Sequence, residues 1–340
     1  MINAYLIGND YQTKDVIMLT NGYANIDVYQ PSTFELDFLR DIGEIGDFVT
    51  IIDNGNPKFT GLIEKTDKAN GFRVSGTNIK QILVGLQYFV INNTIPIDRI
   101  PIDSTVYDLV VNQLTLCFPQ LEITVFSSLS EEYRYSTQLR MTSVFDLLNN
   151  ATNSNNLNYQ IYLMGNNQMR VYLNENRHLE NEIKLITDIT HSVLEEIQNT
   201  REFYNQIIGL GAGEEEERDY YFIDESNGNT PKCYVYDLRE SITHDELVKR
   251  TEEKYSTLTK DHSATFKILK NNLYVFGEDY TIGDYVSFAN DEGLIFNDII
   301  STIEINIDDG KLTQDYEVTI GRYRGTLTDK INELKEGGIR

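Results

Sequence analysis

Tryptophan is absent from this 340-residue chain, cysteine occurs twice and proline six times. Cys117 and Cys233 form no Cys-x-x-Cys pair, so a zinc ribbon or a thiol redox motif has no support. They read as free, buried thiols of a reducing compartment. Basic residues are scarce as well. Twenty-nine Lys and Arg stand against 53 Asp and Glu, a formal net charge of −24. That balance argues against stable nucleic-acid binding through phosphate neutralisation. No apolar run reaches the length needed to span a bilayer. The start, Met1-Ile2-Asn3-Ala4-Tyr5, has neither a basic flank nor an apolar core, so no signal peptide is expected.

What is present is globular: 40% hydrophobic and 24% charged residues, in a length that suits two or three domains. Tyrosine is frequent, at 22 residues. It favours strands, and its phenol suits half-wet interfaces, so much β-structure and extensive protein contacts are expected. The acidity is explained by solubility, or by a surface that must not hold passing DNA.

Along the chain, Val49–Ile52 is an apolar strand closed by Asn54-Gly55, a strong hairpin signal. Asn70-Gly71 marks a second turn before Phe72-Arg73-Val74. From about residue 84 the pattern changes. Ser104-Thr105-Val106-Tyr107-Asp108-Leu109 and Thr142-Ser143-Val144-Phe145-Asp146-Leu147 both read as a capped helix feeding a strand, with Ser104 read as the first cap. Gly165-Asn166-Asn167 joins a hairpin. Strands return near Glu182–Ile186 and are favoured over Val193–Ile208, where Leu194 and Ile197 also fit a helix. Residues 214–240 look like a loop-rich insertion around Ser226-Asn227-Gly228-Asn229. Thr243-x-x-Glu246 resembles a capping box opening a polar helix to about Tyr255. Leu273–Phe276 opens a last meander. The tail, Thr328–Glu336, is an amphipathic helix with Leu327, Ile331 and Leu334 on one side, read as a docking element for this fold.

The sharpest internal signal is a repeat. Ile45-Gly46-Asp47-Phe48-Val49 matches Ile282-Gly283-Asp284-Tyr285-Val286. Downstream, Gly55 matches Gly293, Phe59 matches Phe296, Leu62-Ile63 matches Ile299-Ile300, and Asn70-Gly71 matches Asp309-Gly310. Each copy reads as a turn glycine and a turn-bonding aspartate before a half-buried strand. If Gly283 has positive φ, Gly283→Val should disrupt its module. The bland alternative is that any two β-meanders share turn chemistry.

Other constellations fail on inspection. Gly209-Leu210-Gly211-Ala212-Gly213 could pass for a dinucleotide loop, but Glu214–Glu217 follow and would repel a pyrophosphate. A glycine-rich strand exit allowing close backbone approach explains it better. His178, His191, His244 and His262 have no metal-ligand spacing. Asp308-Asp309-Gly310 lacks the alternating oxygens of a calcium loop and reads as a turn. No catalytic motif, cofactor site or metal site emerges, and the chain is expected not to be an enzyme.

Tyr204-Asn205-Gln206-Ile207-Ile208-Gly209-Leu210-Gly211-Ala212-Gly213-Glu214, followed by Tyr280-Thr281-Ile282-Gly283-Asp284-Tyr285-Val286, resembles the hub proteins of phage tails. These are the baseplate hub and tail-associated proteins of siphophages and contractile phages, including prophage tails. The resemblance implies a homotrimer in which each chain gives two tube-like β-domains, a pseudo-sixfold ring matching a hexameric tube. It implies as partners the tail tube or distal tail protein, a spike or fibre and the tape-measure protein. DNA would pass through without specific binding, and no membrane anchor is expected. Localisation would be the virion tail tip, after synthesis in the host cytoplasm, with spike or enzyme on a separate polypeptide.

The expected architecture is mainly β, α+β overall. It has a first β-barrel-like domain at 1–85, an α+β domain at 86–180, and a second β-barrel-like domain at 181–213 and 268–325. A loop-helix insertion occupies 214–267 and a terminal helix 326–340. The site residues are structural: Gly46, Asp47, Phe59, Gly283, Asp284 and Phe296 at the repeat, and Gly209, Gly211 and Gly213 at the strand exit. A tail-associated wall hydrolase and an unrelated soluble binding module are the alternatives.

Overall fold

The computed structural model describes residues 2–40, 43–68, 72–92, 100–139, 141–186, 191–199, 204–213, 218–226, 230–238, 243–256, 258, 261–268, 274, 279–289, 295–312 and 317–321. Asn70-Gly71, the Glu214–Glu217 run, Asn227–Asn229, Gly293 and the tail helix lie outside them, as does most of Leu273–Phe276.

Six strands open the chain: β1 (Asn3–Ile7), β2 (Thr13–Asp27), β3 (Thr33–Phe38), β4 (Phe48–Asp53), β5 (Asn56–Asp67) and β6 (Phe72–Asn78). They pair in the order β1-β4-β5-β6-β3-β2, and β2 returns to β1, so the sheet closes into a six-stranded barrel. Closure removes the open edges that six amphipathic strands would otherwise expose. The β4–β5 hairpin turns at Asn54 and Gly55, at φ +50° and +82°. Two left-handed residues suit the strand twist, and Asn-Gly tolerates them. All of Phe48–Ile52 is buried. Phe34 and Phe59 pack in the barrel with ring centroids 5.5 Å apart, while Phe48 joins the core of the next region.

That region holds α1 (Lys80–Gly85), α2 (Tyr88–Ile91), β7 (Ile100–Thr105), α3 (Val106–Cys117), β8 (Glu122–Ser127), β9 (Arg134–Leu139), α4 (Val144–Asn153), β10 (Leu157–Gly165) and β11 (Gln168–Glu175). Helices α3 and α4 share one kind of cap. Thr105 Oγ1 accepts from Asp108 N, and Ser143 Oγ accepts from Asp146 N. The first cap is Thr105, not Ser104, because its hydroxyl is the one placed three residues before a free helix N–H. One face of the β10–β11–β8 sheet buries Leu157, Tyr159, Ile161, Leu163, Val171 and Leu173 in a core shared with both helices. The barrel is tied to this sheet by hydroxyls: Thr50 Oγ1 donates to Leu163 O at 2.8 Å, and Leu163 N donates to Thr60 Oγ1 at 3.2 Å. All four groups are buried, so each needs its partner.

The rest of the chain supplies β12 (Lys184–Ile186), β13 (His191–Asn199), β14 (Gln206–Leu210), β15 (Tyr220–Asp224), β16 (Cys233–Asp237), α5 (His244–Ser256), β17 (Asp261–Ile268), β18 (Tyr285–Ala289), β19 (Ile295–Asp308), β20 (Lys311–Leu312) and β21 (Glu317–Gly321). Residues Met1–Leu194 with Thr265–Ile320 form one compact unit, and Glu195–Ala264 with Gly321–Arg340 another. In the larger unit β19 pairs with β2 over Thr302–Ile307, so the barrel and the second strand group share one continuous sheet. The strand order β12-β18-β19-β21-β17-β13 parallels β1-β4-β5-β6-β3-β2. One pairing differs in direction: β12 lies parallel to β18, whereas β1 is antiparallel to β4.

The smaller unit contains a three-stranded sheet, β15-β14-β16, with α5 against it. Strand β14, assigned from sequence to the second β-domain, belongs here, because its neighbours are Tyr220–Asp224 and Cys233–Asp237. The stretch read as a loop-rich insertion therefore carries two strands. Cys233 is exposed rather than buried. Among the described residues no helix is long and apolar enough to cross a membrane.

Candidate functional site

The repeated Ile-Gly-Asp segments share their glycine φ and their turn hydrogen bonds. Gly46 and Gly283 have φ of +96° and +92°, a region that costs an L-residue strain and glycine little. This conformation turns each glycine N–H onto the second strand of the hairpin that follows, β5 or β19: Gly46 N donates to Ile63 O at 2.9 Å, and Gly283 N to Ile300 O at 2.9 Å. Asp47 O and Asp284 O accept from Ile63 N and Ile300 N, both at 2.8 Å. Each carboxylate folds back onto its own turn. Asp47 Oδ2 accepts from Glu44 N at 3.0 Å, and Asp284 Oδ2 from Thr281 N at 2.7 Å.

The register downstream is also the same. Phe48 faces Leu62 and Ile51 faces Phe59; Tyr285 faces Ile299 and Phe288 faces Phe296. A β-bulge follows at the same place, between Ile63 and Lys65 in β5 and between Ile300 and Thr302 in β19. Two meanders with merely similar turns would not share a bulge position and a strand order. Phe59 is buried; of Phe296 the described part is its backbone pairing.

Both aspartates are buried, at 3% and 1% exposure, and each takes a cation from outside the repeat. Lys14, on β2, places Nζ 2.8 and 2.9 Å from the two Asp47 oxygens. Arg177, just after β11, reaches Asp284 through Nε at 3.1 Å and Nη2 at 2.5 Å, and its backbone N adds a bond at 3.1 Å. These hydrogen bonds hold both the Lys14 ammonium and the Arg177 guanidinium above their ordinary pKa. The surroundings differ. A Cβ on Gly46 would meet nothing within 4 Å, whereas one on Gly283 would lie 2.5 Å from Asn158 Nδ2 and 2.6 Å from Asn176 Oδ1. Ile45 is 69% exposed, and its counterpart Ile282 is 6% exposed.

The glycine cluster is split between roles. Gly209 sits inside β14 under α5, where a Cβ would come 2.0 Å from Thr251 Oγ1. Gly211 leaves the strand and bonds Asp219 O at 2.8 Å. Gly213 has φ +107°. Sequence reasoning missed Lys14 and Arg177. Arg177 lies 107 residues from Asp284, and nothing local marks the pairing.

Chemically, the arrangement fixes main chain. His178 stacks on Tyr285 at 4.5 Å and contacts Glu180, and His244 contacts Asp219. Among the described residues no group of three or more His, Cys, Asp or Glu could hold a metal ion. Asp309 and Gly310, at φ +45° and +69°, make the β19–β20 turn.

A closed barrel, a second strand group of the same order and an α+β region between them make up a fold found in phage tail proteins. The chain is similar to the 43 kDa tail protein of prophage MuSo2 from Shewanella oneidensis, at TM-score 0.63 and 13% identity over 95% of this chain and 98% of that one. It is similar to the tail protein from Neisseria meningitidis MC58, at TM-score 0.59 and 13% identity over 94% and 96%. It is also similar to the prophage tail protein gp18 from Listeria monocytogenes EGD-e, at TM-score 0.57 and 10% identity over 98% of both. At such identities these likenesses establish the fold. Family comes from sequence: residues 113–322 match the Siphovirus ReqiPepy6 Gp37-like protein family, and the chain belongs to it. It is thus a phage tail-associated protein. No curated protein matches.

Proposed function

We propose that this chain is the structural hub of a phage tail tip, acting as a homotrimer that joins the tail tube or distal tail protein to a spike or fibre and lines the channel. The observation that carries the reading is the repeat: two strand groups with the same turn, register, bulge and strand order, fused edge to edge through β2 and β19. One chain then supplies two like positions, and three chains supply six, which is what a threefold object needs to meet a sixfold tube. The formal charge of −24 favours a lumen that repels phosphate, so tape-measure protein and DNA pass without being held. On this reading the chain performs no catalysis, and any wall-degrading activity belongs to a partner.

Cryo-electron microscopy of the assembled tail tip tests the proposal. Three copies arranged as a ring of six β-modules are expected. One copy, six copies, or a position away from the tail tip would overturn it. A zymogram against host cell wall addresses the remaining point, since a lytic band from the purified chain would contradict a purely structural role.

A further inference from the structure

The β10–β11–β8 sheet turns Leu157, Tyr159, Ile161 and Leu163 towards the helices, so strand alternation sends the residues between them to the opposite face. That face carries three cross-strand rows: Asn158 with Asn174, Gln160 with Tyr172 and Phe126, and Tyr162 with Arg170 and Thr124. Ile26 of β2, Ile305 of β19 and the Thr281-Ile282 turn stand against it, and a cavity of about 370 Å³ remains between them. All of these residues belong to the larger unit. The volume falls in the range of small-ligand sites. Gln160 lines the cavity at 8% exposure, and among the described residues its Nε2 has no hydrogen-bond partner. A buried amide left unbonded costs stability, so its occupant needs explaining. The two asparagines of the neighbouring row are each held by one end. Asn158 Nδ2 donates to Asn176 Oδ1 at 2.6 Å, and Asn174 Oδ1 accepts from Ser128 Oγ at 3.0 Å. Each amide has a second polar end to offer.

We propose that this cavity and the aromatic strip beside it bind a neutral oligosaccharide. Tyr162 packs edge-on against Tyr172 with centroids 5.6 Å apart, and Phe126 stacks on Tyr172 at 5.0 Å. Both tyrosines line the cavity. Phe126 is 42% exposed, so the strip runs from the cavity to the surface. A pyranose ring combines C–H-rich faces with a rim of vicinal hydroxyls. Its faces suit flat aromatic rings, and its hydroxyls, which both donate and accept, suit amides that do the same. Among the described residues no Asp or Glu lines the cavity, which disfavours a hard cation. A nucleic-acid strand would also stack on the rings. Lys58 in the lining and Arg170 over the Phe126 ring are the cations the described residues place there, in a chain of net charge −24, too few to neutralise a run of phosphates. The inference does not depend on the hub reading.

Isothermal titration calorimetry of the full chain with neutral tetrasaccharides of glucose, galactose, mannose and N-acetylglucosamine tests the proposal. At least one should bind with a Kd below about 1 mM. Gln160→Leu should weaken that binding about tenfold. The same variant should unfold at no lower urea concentration than the parent, because it removes a buried amide that lacks a partner. Phe126→Ala, at an exposed position, should weaken binding about fivefold. Failure of all the tetrasaccharides to bind, which leaves the cavity to solvent, would overturn the proposal. So would an affinity indifferent to Gln160→Leu. Tighter binding of oligothymidylate than of any tetrasaccharide, lost on Phe126→Ala, would overturn it in favour of a nucleic-acid strand.

Discussion

Gly46 and Gly283 allow a controlled comparison, because they share a backbone conformation and differ in what surrounds them. An alanine at either position must adopt φ near +90°, which costs about 1–2 kcal/mol. For Gly46→Ala that strain is the whole cost, since the added methyl meets nothing within 4 Å. For Gly283→Ala the methyl would sit 2.5 Å from Asn158 Nδ2 and 2.6 Å from Asn176 Oδ1, two buried amides that bond each other at 2.6 Å. Driving them apart leaves a buried donor and acceptor unpaired, a further ~1–3 kcal/mol. Gly46→Ala should therefore lose about 1 kcal/mol and Gly283→Ala about 3 kcal/mol. Urea unfolding followed by circular dichroism reads both, provided the dependence on denaturant is unchanged. Equal losses would refute the role given to Asn158 and Asn176. A Gly46→Ala variant as stable as the parent would refute the strain argument itself.

Three other perturbations follow from the same geometry. Asp284→Asn keeps the shape of the turn but removes the charge that accepts four hydrogen bonds; about 2 kcal/mol should be lost in thermal or urea unfolding, discounted because Arg177 is half-exposed and reaches water. Lys80 is fully buried over the Tyr159 ring, and burial lowers its pKa from the usual 10.5 to about 8 despite the pull of Asp27. The unfolded chain thus binds more protons than the folded one between those values, so stability should rise from about pH 8 towards 10, and Lys80→Met should flatten that rise; a slope that survives the substitution assigns it to another group. Ser143→Ala removes the α4 cap and should cost about 1 kcal/mol by the same unfolding assay.

Local signals are legible in the amino-acid order itself. Asn54-Gly55, Gly165-Asn166-Asn167 and the Thr243 capping box each use a residue whose backbone preference or side-chain reach acts over a few neighbouring positions. The Gly-Asp repeat is legible because turn, register and strand recur at matched offsets. What stays hidden is non-local. The apolar run Ile207-Ile208 fits any sheet, so nothing in it says that β14 joins Tyr220–Asp224 and Cys233–Asp237 instead of the second strand group. The long strands β2 and β19 each change neighbours along their length, and a strand's sequence does not name its neighbour. Ser104 and Thr105 are equally good caps by type, and only the geometry of Asp108 N selects Thr105.

The repeat preserves main chain and lets side chains diverge. Glycine φ, the turn hydrogen bonds and the bulge recur in both copies, while the cation changes from Lys14 to Arg177 and arrives from different elements. Ile45 is left bare where Ile282 is covered. This division has a physical reason. Strand pairing fixes where a module's edges lie, and an edge displaced by one residue would turn every following side chain to the wrong face. The Gly-Asp turn pins that register at the start of β4 and β18, so it tolerates little change. The outer surface carries no such constraint and can answer to different neighbours. Two modules so related share the register of their strands and differ in what they offer outward.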